Sequence, residues 1–450
     1  MIVKLIKSRG MRRFSRNRLA MFSLAVIIVY FLTAIAVMLG AVSRDDTKER
    51  VGPNRLPGFL EPIGAEKRYD FDKWWVSELT NVFERAAREN ARAGGDPRAV
   101  LDEFALAERT IADGSYEDLK PAFDAMTEAW HELDDVFAEQ LDLDDEAFAI
   151  RDEIKELQAE GEDVADLQAE LEEVEALLAE LAPRAEALYQ QVEANIEKLL
   201  PMPSGFAGLV YSLRTMLGTD SKGASIAAQA VYSIKIAFQV GFVTALVAVL
   251  IGTISGAAAA YFGGWVDHAV LWVVSTLSSI PYLVLLAVFV YAFQAPALAE
   301  WFNNPERPAL ALVPLYAAFG LTFWIGTCRV VRGEVLKIKE LEYVQAATAL
   351  GFGRFYILLR HIIPNTAHLM FINFSLLFIG AIKSEVILTF LGLGVKGQPS
   401  WGIMISHGAD GVTNFFFWEV GAATVFMFVL VLAFNIVSDA LQDAFDPKHV

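Results

Sequence analysis

The stretch Glu342-Tyr343-Val344-Gln345-Ala346-Ala347-Thr348-Ala349-Leu350-Gly351, followed by Arg360-His361-Ile362-Ile363-Pro364-Asn365, decides how this chain is built. Small residues ending on a glycine predict a short helix with one thin face, the shape that presses into a groove on another protein. An amphipathic linker at a membrane interface satisfies the same pattern. Pro364 disfavours a continuing helix and sets the entry into whatever follows. On either side lie long apolar runs. Residues 309–328 carry no charge, and 368–395 are interrupted only by Lys383 and Glu385.

Outward from that stretch the pattern repeats. Residues 19–43, 269–299 and 420–438 are uncharged, and 236–268 contain a single acid, Asp267. A helix needs about 20 apolar residues to cross a bilayer core. Six spans are expected, at 19–42, 234–261, 268–293, 309–330, 368–392 and 420–438. The first run exceeds the apolar core of a cleaved signal, about 7–15 residues, and Ala41-Val42-Ser43 is a poor cleavage site, so 19–42 is read as a span. Residues 1–18 hold seven bases (Lys4, Lys7, Arg9, Arg12, Arg13, Arg16, Arg18) and no acid, which places them in the cytoplasm. Counting spans then puts both termini and the 331–367 loop in the cytoplasm and residues 43–230 outside it.

The composition is split along the same lines. The chain has 450 residues, a net charge of −18 and 55% apolar residues. Residues 44–200 hold 42 acids and 17 bases, a net −25, and the remainder is net +7. A collagenous, disordered or disulfide-framed chain is excluded, and a nucleic-acid partner is disfavoured by an anionic polar block. Cys328 stands alone, so no intrachain disulfide forms. The histidines show no metal-ligand spacing. Within the acidic block, helices are expected at 73–93, 97–112, 121–141, 145–160 and 163–199, with Asp96 capping the second. Apolar residues at 150, 154, 157, 164, 167, 171, 174, 178, 181, 185, 188 and 192 form a heptad seam folded back near Gly161. Pro183 is expected to kink or restart the last helix. The negative charge reads either as a solvated helix exterior or as a site for a basic partner. Gly252 and Gly256 form a pair suited to close helix contact or a chance occurrence. Pro281 should kink the third span, and Glu385 reads as a pathway or gating residue or as an interhelical structural bond. The domain reading is thus 1–18 cytoplasmic, 19–42 first span, 43–216 acidic helical insert and 217–450 a five-helix membrane core. The fold class is all-α, a polytopic membrane protein with an α-helical, partly coiled-coil extracytoplasmic domain.

The 342–364 stretch resembles the coupling loop of binding-protein-dependent ABC importer permeases, with pattern E-A-A-x3-G-x9-I-x-L-P. Ala346, Ala347, Gly351 and Pro364 match; Gln345, His361 and Ile363 replace the Glu, Ile and Leu. The dipeptide/oligopeptide/nickel branch, DppC/OppC-type, is resembled further at residues 13–20, 217–220, 261–267, 279–281, 332–335, 390–395, 399–402 and 435–447. Gly223-Ala224-Ser225 departs from that branch's charged pair, and 44–216 has no counterpart in its short members. The resemblance implies half of a pathway for peptides or related small solutes in a bacterial cytoplasmic (inner) membrane. It also implies a second, DppB/OppB-like permease, two ATPase subunits, an external substrate-binding protein and membrane lipid as partners. ATP and Mg would be bound by the ATPases. The sequence holds no G-x-x-x-x-G-K-[ST] loop, so no enzyme activity and no cofactor are expected of this chain. The coupling residues carried over are Tyr343, Gln345, Ala346, Ala347, Gly351 and Pro364. An ATP-independent secondary transporter, or an anchored scaffold acting through its external helices, are the alternatives.

Overall fold

The computed structural model describes residues 14–49, 51, 65–92, 94–106, 109–160, 163–293, 312–394, 397–412 and 416–445. Most of the basic start, the 52–64 linker, the Gly161 turn, the 294–308 connection, Val395 and Asp446-Pro447 lie outside the described residues. Two compact units result, one from Met1–Thr47 with Ala228–Val450 and one from Lys48–Ala227. Helix α1 (Arg18–Met38) opens the first unit, its first turn capped by the Asn17 side chain, which accepts from Leu19 and Ala20 N–H at 3.1 and 3.2 Å.

The second unit begins with α2 (Ala65–Asn90) and α3 (Pro97–Asp102). Asp96 caps α3 as its sequence requires, accepting from Arg98 and Ala99 N–H. The expected helix to 112 stops at Asp102. A two-stranded antiparallel hairpin, β1 (Ala105–Leu106) and β2 (Arg109–Thr110), replaces its second half. Leu101 and Phe104 before the hairpin and Ile111 after it are buried in one core. It also turns Arg109 inward, over the rings of Trp75 and Tyr211, where its guanidinium donates to the Leu200 carbonyl.

Helix α4 (Tyr116–Glu160) is a single helix of 45 residues where two were expected. It starts earlier because Ser115 and Asp118 cap it reciprocally: the Ser115 hydroxyl accepts from Asp118 N–H, and the Asp118 carboxylate accepts from Ser115 N–H. α5 (Ala165–Leu199) runs through Pro183 without a break. Ala179 and Pro183 are both exposed, so the carbonyl deprived of its donor faces water and the helix survives. The two helices pack antiparallel, with Ile150, Ile154 and Leu157 meeting Val164, Leu167, Leu171, Val174 and Leu178. Nearer the base, Met126, Leu133 and Val136 meet Ala185, Leu188 and Val192 over α2. α6 (Gly205–Thr215) ends the unit, tied by Arg214 to Glu49 at 2.8 Å.

The chain returns to the first unit through α7 (Ile226–Phe262) and a turn at Gly263-Gly264. Both glycines hold φ near +60°, open to them at little cost. α8 (Gly264–Ser278) and α9 (Tyr282–Phe293) follow, bent by 94° at Ser279-Ile280-Pro281. The expected third span is therefore broken. Pro281 removes a donor and constrains Ile280, and the Ser279 hydroxyl bonds back to the Thr276 carbonyl. α10 (Val313–Ile338), α11 (Glu342–Ala349) and α12 (Arg354–Ile357) come next. A π turn (Leu358–Ile362) and a 3-10 turn (Ile363–Thr366) then lead into α13 (Ala367–Phe390). Pro364 was expected to end a helix. It instead sits where wide and tight turns adjoin, and helical backbone persists through it. α14 (Trp401–Val412) and α15 (Trp418–Phe445) complete the unit. Among the described residues, five stretches are long and apolar enough to span a membrane, Arg18–Met38, Ile226–Phe262, Val313–Ile338, Arg354–Phe390 and Trp418–Asp443. The α8–α9 pair makes a sixth if counted as one span.

Candidate functional site

The loop helix α11 has two unlike faces. Val344 and Ala347 are buried against Val331, Val335 and Ile338 of α10, Ala257 and Ala260 of α7, and Ile357 and Ile362. Neighbouring helical residues stand about 100° apart, so Ala346 is exposed while Ala347 is 6% exposed. The two alanines thus do not share one thin face. Gln345 is exposed and its Nε2 donates to the Glu340 carbonyl at 3.2 Å. Tyr343 stays partly exposed while its hydroxyl accepts from Asn365 Nδ2 at 2.7 Å and its ring faces His361. That contact ties α11 to the turn holding Pro364.

Gly351 serves the backbone. Its φ is +80°, its N–H donates to the Thr348 carbonyl, and Phe352 N–H reaches back to the Ala347 carbonyl. This left-handed helix stop belongs to glycine. Leu350 before it (79% exposed) and Phe352, Phe355 (72%), Tyr356 and Leu359 after it are exposed, with the Phe352 and Tyr356 rings stacked. Exposed apolar side chains of this kind suit contact with another protein or with a membrane.

Two further features link motifs that the sequence shows only separately. Arg332 of α10 donates Nε and an Nη to the two carboxylate oxygens of Asp267 on α8, each at 2.7 Å, with both side chains largely shielded. An acid in one motif and a base in another was the available signal; their pairing is not encoded by spacing. Gly252 and Gly256 lie against the backbone of α10. A Cβ on Gly256 would stand 2.4 Å from the Cys328 carbonyl oxygen, and one on Gly252 2.7 Å from that of Trp324. Close contact is thus what this pair provides.

An open cleft of about 810 Å³ lies at the α8–α9 break, lined by Ser278 to Tyr282, Thr322 and Phe323 of α10, and Leu377, Lys383 and Ser384 of α13. Glu385 is absent from this lining. It is 2% exposed and accepts from the Thr389 hydroxyl at 2.8 Å, with Ser400 as a second donor. It bonds α13 to the segment entering α14, where Gly402 packs on Thr389. Lys383, two residues away, points to the other side. Among the described residues no cluster of three or more His, Cys, Asp or Glu is placed to hold a metal ion.

Comparison with known proteins accords with this arrangement. The family described as binding-protein-dependent transport system inner membrane component matches residues 248–449. The N-terminal TM domain of oligopeptide transport permease C matches residues 8–49. The dipeptide transport system permease protein DppC of Bacillus subtilis is 33% identical over 232 residues, 51% of this chain and 68% of that protein. The oligopeptide permease OppC of Haemophilus influenzae is 31% identical over 261 residues, 58% of this chain and 76% of that protein. The glutathione transport system permease protein GsiD of Pectobacterium atrosepticum is 31% identical over 233 residues, 52% and 72% of the two chains.

Proposed function

The chain belongs to the family of binding-protein-dependent ABC importer permeases, DppC/OppC-type, and from that premise we propose how its parts divide the work. As a multi-pass membrane subunit it forms half of the pathway for peptides or related small solutes. A DppB/OppB-like permease supplies the other half. Two ATPase subunits bind ATP and Mg and seat against the outer face of α11, and an external binding protein delivers the solute. Family membership favours this reading over an ATP-independent carrier or an anchored scaffold.

The observation that carries the coupling role is the exposure of Leu350, Phe352 and Phe355 together with that of Tyr343, Gln345 and Ala346. The inner face of α11 is locked to α7 and α10 through Val344 and Ala347, and to the start of α13 through Tyr343 and Asn365. A push on α11 therefore reaches the helices that line the cleft, as a rigid-body transition requires. Gln345 keeps hydrogen-bonding reach without charge, so its contact with the ATPase is a neutral one. Both termini and the loop lie in the cytoplasm in this reading. The Lys48–Ala227 unit, with residues 43–216 as the insert, lies outside. There its two long helices act as an antiparallel coiled coil that docks a protein partner, steered by the net −25 of residues 44–200.

Affinity purification of this chain after co-expression with the ATPase subunits tests the coupling role. Both ATPases should be retained by the wild type and lost from Leu350→Glu/Phe352→Glu, which remains inserted. Retention by the variant would place the docking surface elsewhere.

A further inference from the structure

The cleft at the α8–α9 break has an uneven chemistry. Phe323, Leu377 and Leu285 give it an apolar wall, and Ser278, Tyr282 and Ser384 bring hydroxyls to it. Among the described residues that line it, Lys383 is the single charged one, and none is a carboxylate. Its volume falls within the roughly 300–1,000 Å³ of small-molecule sites. Among the described residues Lys383 has no ion-pair partner. The nearest acid in sequence, Glu385, is turned away and satisfied by Thr389 and Ser400. A second base adds to the same sign: Arg329 donates to the Ser278 hydroxyl at 2.7 Å. Tyr282 and Ser384 share a hydrogen bond at 2.7 Å, which fixes a hydroxyl pair beside Lys383.

An ammonium group in an apolar membrane cleft is costly unless an anion meets it, and ionisable groups within spans mark solute paths. Lys383 stands about 10 Å along α13 from the end of that helix at Phe390, by the rise per residue, so it is set within the span. We propose that Lys383 is a specificity-determining residue that receives the carboxylate of the solute in transit, the C-terminal carboxylate in the case of a peptide. The Tyr282–Ser384 hydroxyl pair orients that carboxylate, and the Phe323–Leu377 wall takes an apolar side chain. This subsite rests on the permease reading and adds the chemical class of group that the pathway accepts.

The test uses the complete transporter, with its partner permease, ATPases and binding protein, reconstituted in vesicles. A mixture of short peptides is offered with free C-terminal carboxylates, alongside the same sequences as C-terminal amides. ATP-driven uptake is read by mass spectrometry for wild type, Lys383→Met and Lys383→Arg. The binding protein is common to all three, so its own preference cancels in each variant-to-wild-type ratio. Lys383→Met should lower uptake of the carboxylate peptides by about tenfold or more, the effect of losing a charge-assisted hydrogen bond. Amide uptake should be unchanged, and Lys383→Arg should restore the carboxylate peptides. Unchanged uptake of carboxylate peptides by Lys383→Met would overturn the subsite and leave a lysine that serves the lipid interface. Equal loss of both peptide classes would overturn it in favour of a structural role. Wild type that retains its ATPases yet imports no peptide would refute the peptide pathway itself, and the subsite with it.

Discussion

Replacing Gly256 with alanine tests the packing that joins α7 to α10. The added Cβ would lie 2.4 Å from the Cys328 carbonyl oxygen and 3.2 Å from Arg332 N, whereas ordinary contact begins at 3.4 Å. The nearest atoms are backbone, so no side chain can swing aside. The two helices must part by about 1 Å, and overpacking of that order costs about 1–3 kcal/mol. The gain in helix propensity from Gly to Ala, about 1 kcal/mol, offsets part of this. Gly326 supplies the control: it also lies within a helix, α10, but a Cβ there meets nothing within 4 Å. Gly326→Ala collects the propensity gain alone, so the two variants should differ by about 1–3 kcal/mol. The assay is thermal unfolding of the assembled complex in nanodiscs, read with ATP-driven uptake. Each kcal/mol corresponds to about 2–4 °C for a unit of this size. Gly256→Ala should melt several degrees below Gly326→Ala and lose uptake. If it melts at or above Gly326→Ala, the close approach of α7 to α10 is wrong.

Asp267→Asn weakens the two-pronged contact with Arg332 and should cost about 1–3 kcal/mol; the Asp267→Asn/Arg332→Gln double variant should lose less than the sum, and strict additivity would deny the coupling. Gly351→Ala forces a side chain onto φ of +80°, which should cost about 1–2 kcal/mol and speed amide exchange over 342–352; unaltered exchange would refute the helix-stop role. The Ser115 hydroxyl and N–H bonds hold the Asp118 carboxyl below its ordinary 3.8. The stabilisation of α4 is therefore full above that value and lost as pH falls through the lower folded one. Asp118→Asn should flatten the acid end of the melting profile, and an unchanged profile would contradict it.

The membrane part was legible because its constraint is simple. A span must be long and uncharged, and the runs at 19–43, 309–328 and 420–438 announce themselves. Asp96 before Pro97 was equally plain, since a cap and its helix are neighbours in sequence. Periodicity predicted the Ile150 and Leu171 faces of α4 and α5, but it could not supply helix ends. Pro183 survives inside α5 because the carbonyl it orphans is exposed, a tertiary fact. The break at Ser279-Ile280-Pro281 exceeds a kink because a serine competes for backbone bonds at the same place. In the loop, composition singled out α11 but could not assign its faces. Ala346 and Ala347 look alike in sequence and differ in which way the α10 core forces the helix to turn. Lys383 and Glu385 were equally ambiguous as a pair. Only the position of Thr389 and Ser400 decides which one meets the cleft.

The central claim is that the outward face of α11 receives the ATPase subunits while its inward face belongs to the spans. Photo-reactive residues placed singly at Ala346 and Ala347 in the assembled importer test it directly. A probe at Ala346 should cross-link to an ATPase subunit, and one at Ala347 should react within this chain, with segments carrying Val331, Val335 or Ile357. Cross-linking to the ATPase from Ala347 but not from Ala346, or from neither position, would contradict the account.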